Sequence, residues 1–163
     1  MPEILDLYHR DGTPAGISLE RGETAPEDLL WPVSAVWLVR HDGRLLIQKR
    51  SALKPNFPSK WCCSAGGAVQ HGETPLEGAL RETEEELGLV LDPRDGQLVF
   101  TVPGIHSLHQ VWLFRKDIDL SDLTLQAEEV SDVRYVTPDE LRELVSDGQF
   151  VRNHYLERLL ALI

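Results

Sequence analysis

Residues 66–89 read GGAVQHGETPLEGALRETEEELGL, and this stretch limits what the chain can fold into more than any other. It reads as a glycine turn at Gly66-Gly67, a polar loop, and then an acidic helix. Thr74 stands where an N-cap belongs, Pro75 at the first helical position and Glu77 three residues after the cap, which together make a capping box with a pre-organised first turn. Gly88 ends the helix as a C′ glycine, and Leu89 can fold back onto it. Leu76, Leu80, Thr83 and Leu87 recur at helical spacing as one mostly apolar stripe, which needs a sheet to cover it. Glu82, Glu85 and Glu86 project from the other side at i, i+3 and i+4, so their carboxylates crowd. Crowded carboxylates cost stability unless a cation sits among them, and a hard divalent ion, Mg²⁺ or Mn²⁺, suits oxygen ligands. The plainer alternative is a solvated acidic helix face.

With 163 residues the chain is long enough for one domain with a usable core. A net charge of −11 argues against a broad surface for a nucleic-acid polymer, but not against a local site for a small anion. Met1-Pro2-Glu3 lacks the basic start and apolar run of a secretory signal, and no stretch is long enough to span a membrane. Cys62 and Cys63 are adjacent, which is neither a disulfide framework nor a zinc pattern; packed small side chains in a reducing, cytoplasmic compartment are expected.

Residues 1–30 read as an N-terminal β-hairpin and a loop. Ile4 to Tyr8 and Ala15 to Leu19 are the arms, Asp11-Gly12 is the turn, and Pro14 keeps the second arm at an edge. Residues 31–163 form the core of the domain. Val33 to Arg40 is the candidate central strand, and Asp42-Gly43 turns it into Arg44 to Lys49. Leu98 to Val102, Gln110 to Lys116 and Val133 to Val136 read as further strands. Pro138 to Asp147 reads as a helix capped by Thr137, and Asn153 to Ile163 as a last helix packed by Tyr155, Leu159 and Leu162.

From Gly43 to Gly72 there is no Asp or Glu, yet Arg44, Lys49, Arg50, Lys54 and Lys60 all fall there. This positive island is either a solvated basic loop or a clamp for phosphates, with Lys49, Arg50 and Lys54 the candidates for substrate contact. His106 and His109 are either loop residues or contacts at a cleft mouth. Glu128 and Glu129 read as an exposed acidic loop. Trp31, Trp37, Trp61 and Trp112 can stack on a ring or pack in the core.

The spacing of the first stretch resembles the Nudix box without a gap. Gly67 is followed after five residues by Glu73, after seven more by Arg81-Glu82-Thr83, then Glu85-Glu86 and Gly88-Leu89. Thr83 stands where a larger apolar residue is usual. The resemblance implies an α/β fold, a Nudix-type α/β/α sandwich with a mixed sheet. It also implies a hydrolase that cleaves a nucleoside di- or triphosphate or a related organic diphosphate at phosphorus. By that resemblance Glu82, Glu85 and Glu86 hold Mg²⁺ or Mn²⁺, the Gly67 carbonyl is a further ligand, Glu73 and Arg81 brace loop against helix, and Gly88 closes the helix. By it too, Glu129 or Glu128 is a candidate for an additional carboxylate from outside the box, as ligand or as general base, the latter role favouring an acid free of metal. The partner is a small-molecule diphosphate, and the protein is a monomer or homodimer.

The first ninety residues also resemble, more loosely, the branch related to isopentenyl-diphosphate isomerase, through Glu3 to Tyr8, Arg21-Gly22-Glu23, Gln48 to Ser51, Lys54, Phe57-Pro58 and Trp61. That isomerase carries a catalytic cysteine, a glycine and a metal-binding histidine after the tryptophan. Here those positions are Gly66, Gly67 and Ala68, which weighs against double-bond isomerisation. A module that binds a nucleotide without cleaving it is the remaining alternative.

Overall fold

The computed structural model describes residues 1–163. Strands β1 (Ile4–Tyr8) and β2 (Pro14–Glu20) pair antiparallel as a two-stranded sheet of their own. The turn between them is set by Asp11, whose carboxylate accepts from the Thr13 N–H at 2.9 Å.

The main sheet has seven strands. Its centre is β3 (Trp31–Val39), apolar along its length because both of its faces are covered. β8 (Ser107–Arg115) runs parallel to β3 from Trp31 opposite Ser107 to Val39 opposite Arg115, and β7 (Gly96–Pro103) lies antiparallel beyond it. On its other side β3 changes partner part-way. Val33 to Val36 pair with β6 (Ala65–Ala68), whereas Leu38 and Val39 pair with β4 (Leu45–Arg50). Ser64 bridges this fork: its Oγ accepts from the Leu38 N–H at 2.8 Å and donates to the Leu46 carbonyl at 2.6 Å. β5 (Trp61–Cys62) and β9 (Val130–Val136) both pair with β4.

Alternation along β3 divides the core. Val36 and Leu38 face α1 (Pro75–Leu87), packing with Ala79, Leu87 and Phe114. Trp37 and Val39 face α2 (Pro138–Ser146) and α3 (Leu156–Leu160), packing with Leu141, Leu144, Leu156 and Leu159. The result is helix on both sides of a mixed sheet, the expected α/β/α sandwich, with the expected N-terminal hairpin. No helix is long and apolar enough to cross a membrane.

Three expectations are corrected. The Gly66-Gly67 turn is the middle of strand β6, hydrogen-bonded in a sheet rather than reversing the chain. β8 begins at Ser107 and β9 at Val130, because pairing with β3 and β4 extends both beyond their apolar centres. The last helix spans Leu156–Leu160 instead of Asn153 to Ile163. Leu162 is 44% exposed, since the chain leaves the helix to lay Ile163 beside Gly43 and the core.

Candidate active site

α1 forms where its end signals place it. Thr74 Oγ1 accepts from the Glu77 N–H at 3.1 Å, and Glu77 Oε2 accepts from the Thr74 N–H at 2.8 Å. Gly88 closes the helix with φ 65°, and its N–H donates to the Glu84 carbonyl. The apolar stripe holds as well. Thr83, the odd member, is fully buried because its hydroxyl donates to the Ala79 carbonyl at 2.8 Å.

Arg81 ties the helix to the loop before it. Its Nε and Nη2 donate to the Glu73 carboxylate at 2.5 and 3.1 Å, and Nη2 also donates to the Ala68 carbonyl at 2.9 Å. Its Nη1 donates to Glu82 at 2.8 Å and to Glu85 at 3.1 Å. Burial opposes the guanidinium charge, but the bonds to Glu73 and Glu82 outweigh it and push the Arg81 pKa up. Glu73 is also penalised by burial, yet the Arg81 fork and the Gln70 N–H hold it below its ordinary value.

The three helix acids part company. Glu86 is 6% exposed, accepts from the Gly66 N–H at 2.8 Å, and has its pKa pushed up to about 7. Burial is the main cause, with Glu82 and Glu129 adding repulsion. Glu82 is raised by the same burial, against the pull of Arg81. Glu85 is half-exposed. The fully solvated acidic face is therefore overturned for Glu82 and Glu86: β6 lies against that side of the helix. A Cβ on Gly67 would stand 2.5 Å from the Glu82 carboxylate, and one on Gly66 would stand 2.6 Å from the Ser34 carbonyl oxygen. Gly67 lets the strand approach the helix acid, and Gly66 lets it close on the backbone of β3.

As they stand, no three His, Cys, Asp or Glu side chains converge closely enough to hold one ion. Arg81 draws Glu82 and Glu85 together, while the Gly66 N–H holds Glu86. The donor set still fits Mg²⁺ or Mn²⁺. It is all oxygen, the buried Glu86 and the partly buried Glu82 repel one another, and a protonated Glu86 has a proton to yield to a stronger cation.

Two hollows meet at Gly66 and Gly67. One is a polar cleft of about 210 Å³ lined by Glu82, Glu85, Glu129, Lys54 and Arg81. The other is a cavity of about 380 Å³ lined by Arg50, Phe57, Cys62, Phe150 and Tyr155, with Glu86 in its wall. The neighbouring Cys63, and burial after it, push the Cys62 thiol well up, so it is an inert side chain here.

The positive island is not one cluster. Lys54 pairs with Glu129 in the acidic cleft, which brings that outlying acid close enough to act on Glu82 and Glu86. Arg50 lines the larger cavity, and its Nε donates to the Asn56 carbonyl at 2.9 Å. Lys49 instead lies over the Trp61 ring, 5.9 Å from its centroid, because alternation along β4 turns it to the opposite face from Arg50. Lys60 Nζ donates to the Gly148 carbonyl, and Glu128 is exposed. His106 is exposed, while His109 lines the larger cavity and burial keeps its pKa low. None of the four tryptophans lines either hollow.

Residues outside the box also reach the site. Gln48 supports Glu86, and Ser34 Oγ donates to the Pro75 carbonyl at 2.7 Å. Asp6 of the hairpin accepts from the Gly72 N–H at 3.0 Å and meets His71 Nδ1 at 2.6 Å, clasping the loop before α1. Each lies far from the box in sequence, and no local pattern marks it.

A NUDIX domain model matches residues 29–159. The chain is 38% identical over 160 residues to an uncharacterized Nudix hydrolase of Listeria monocytogenes, covering 98% of this chain and 95% of that relative. An uncharacterized Nudix hydrolase of Pseudomonas aeruginosa is 33% identical over 141 residues, 84% of this chain and 80% of the relative. Among solved structures, the Deinococcus radiodurans protein DR0079 superposes with a TM-score of 0.78 at 27% identity over 98% of each chain. A bifunctional NMN adenylyltransferase/ADP ribose pyrophosphatase of Francisella tularensis, crystallised with AMP and a manganese ion, superposes at 0.63 and 18% identity over 87% of this chain and 43% of that one, a likeness of fold.

Proposed function

The chain belongs to the Nudix family and is a Nudix hydrolase; from that premise we propose that it splits the diphosphate linkage of a nucleoside di- or triphosphate or a related small organic diphosphate, by water attack at phosphorus. Glu82, Glu85 and Glu86 would hold Mg²⁺ or Mn²⁺, with the Gly67 carbonyl as a further ligand. Bound there, the ion would neutralise phosphate charge and acidify the attacking water. The observation that carries this reading is the buried Glu86 carboxylate and the partly buried Glu82 carboxylate repelling one another, set against a strand with two glycines at its centre.

The chain's own residues have separable tasks. Arg81 and Glu73 fix the loop to the helix, so the acids keep their places. Gly66 N–H orients Glu86. Glu85, half-exposed, is free to turn towards its two neighbours. Glu129, outside the box, would take the proton from water. Lys54, its present partner, and Arg50 in the adjoining cavity would hold phosphate oxygens. Lys49, lying over Trp61, has no part in this scheme. Isomerisation is not favoured, because Gly66, Gly67 and Ala68 offer neither thiol nor imidazole.

The test is phosphate or pyrophosphate release from a panel of organic diphosphates with Mg²⁺ or Mn²⁺. Glu85→Gln and Glu86→Gln should each lose most metal-dependent turnover. Undiminished turnover in both variants would rule the scheme out.

A further inference from the structure

Phe57 is poorly explained by stability. It is 57% exposed, and its φ is 51°, a left-handed backbone that bulky L side chains avoid. It also precedes Pro58, which restricts its backbone further. A glycine would relieve the strain and expose no ring. The segment is nevertheless firmly held. Arg50 Nε donates to the Asn56 carbonyl at 2.9 Å, Ser59 N–H to the Arg50 carbonyl at 3.1 Å, and Lys60 N–H to the Phe57 carbonyl at 3.3 Å. An aromatic ring is thus fixed, at a cost in strain, on the wall of the 380 Å³ cavity that adjoins the acidic cleft. Strain of this kind gathers where ligands are gripped.

We propose that Phe57 is a specificity-determining residue that stacks on a planar, uncharged heteroaromatic ring carried by the diphosphate, a ring of the nucleobase class. The inference rests on the hydrolase reading for its diphosphate, because Gly66 and Gly67 line both hollows and make the two positions contiguous. Two further features select a heteroaromatic ring. Asn56, His109, Asn153 and Tyr155 line the cavity as polar groups, with burial favouring neutral His109 and neutral Tyr155. The Tyr155 hydroxyl accepts from Trp37 Nε1 at 3.1 Å, which leaves its own O–H to donate. An aliphatic chain would leave such groups facing hydrocarbon. A sugar, polar on every side, would instead cover Val33, Ala35 and Phe150 with hydroxyls. A heterocycle presents apolar faces and a hydrogen-bonding edge, and so meets both kinds of wall.

The test is calorimetric titration with Mg²⁺ of non-hydrolysable α,β-methylene ADP and α,β-methylene UDP, and of ringless methylenediphosphonate, into wild type, Phe57→Gly and Phe57→Tyr. At least one nucleotide analogue should bind wild type, weaken roughly tenfold or more in Phe57→Gly, and keep its affinity to within about twofold in Phe57→Tyr. Methylenediphosphonate should bind all three proteins alike, and Phe57→Gly should melt no lower than wild type. The proposal is overturned if neither analogue binds wild type, if Phe57→Gly binds as tightly, or if the ringless compound weakens in parallel. Ring binding through Phe57 without phosphate or pyrophosphate release from any member of the diphosphate panel would overturn the hydrolytic reading and leave this one standing.

Discussion

Arg81 and Glu86 leave the same helix little more than one turn apart, and the protein treats their charges in opposite ways. Arg81 is shared among Glu73, Glu82, Glu85 and a backbone carbonyl. Glu86 is buried more deeply, and the charges that bear on it most, Glu82 and Glu129, have its own sign. The first arrangement is one a fold keeps to hold itself together. The second weakens the fold at neutral pH and is ready for a cation. One helix therefore carries a brace and a vacancy of charge side by side, and the brace keeps the repelling acids from moving apart.

The largest expected effect comes from breaking the brace. Arg81→Ala would strand the partly buried Glu73 and Glu82 without a counter-charge, at about 3 kcal/mol measured by chemical denaturation. A loss under about 1 kcal/mol, the range of an exposed pair, would erase the contrast.

Next is the other side of the comparison. Folding raises the Glu86 pKa from 4.5 to about 7, so between those values the folded state holds a proton that the unfolded chain has released. This group's contribution to stability therefore falls as pH rises from 4.5 to about 7 and stays low above it, by no more than about 3 kcal/mol in all. The stability difference between Glu86→Gln and wild type, followed by metal-free melting across that window, should grow in favour of the variant. A difference that stays flat would mean that Glu86 is not the strained member of the pair.

The two glycines of β6 sharpen the contrast further. Gly66→Ala drives a methyl against the Ser34 backbone oxygen, which cannot give way without moving β3, at about 2 kcal/mol. Gly67→Ala meets the mobile end of Glu82 and should cost the fold less than about 1 kcal/mol. Its Mn²⁺ affinity, read by calorimetry, should nevertheless fall, because Glu82 is pushed from its place. Equal effects of the two substitutions on melting would show that Glu82 is not free to yield.

How legible all this is from the chain depends on how local the cause is. The limits of α1 are written in Thr74, Pro75, Glu77 and Gly88, each acting within a turn, and the helix begins and ends there. The pairing of Glu73 with Arg81 follows from the box resemblance and appears in the fold. β5 and β6 are different: they are two and four residues long, and β6 is built of Ala and Gly alone, so neither alternation nor propensity marks them, and pairing with β4 and β3 makes them strands. The burial of Glu86 depends on β6 lying across it, a tertiary fact that helical periodicity cannot carry. The basic island shows the same limit. Its composition is plain in the sequence, but the pleat of β4 sends Lys49 and Arg50 to opposite faces.

The fork at Ser64, where β3 exchanges one neighbour for another, has a consequence for how such proteins diversify. The larger hollow borders residues of β3, β4, β5 and β6 around that split, so it is the gap left by a sheet whose seam opens. No inserted loop is needed to build it. Its floor belongs to the seam itself, while much of its rim comes from the 51–60 connection and the segment around 150–153. Those two pieces can be rewritten to suit a new guest without touching α1 and its acids.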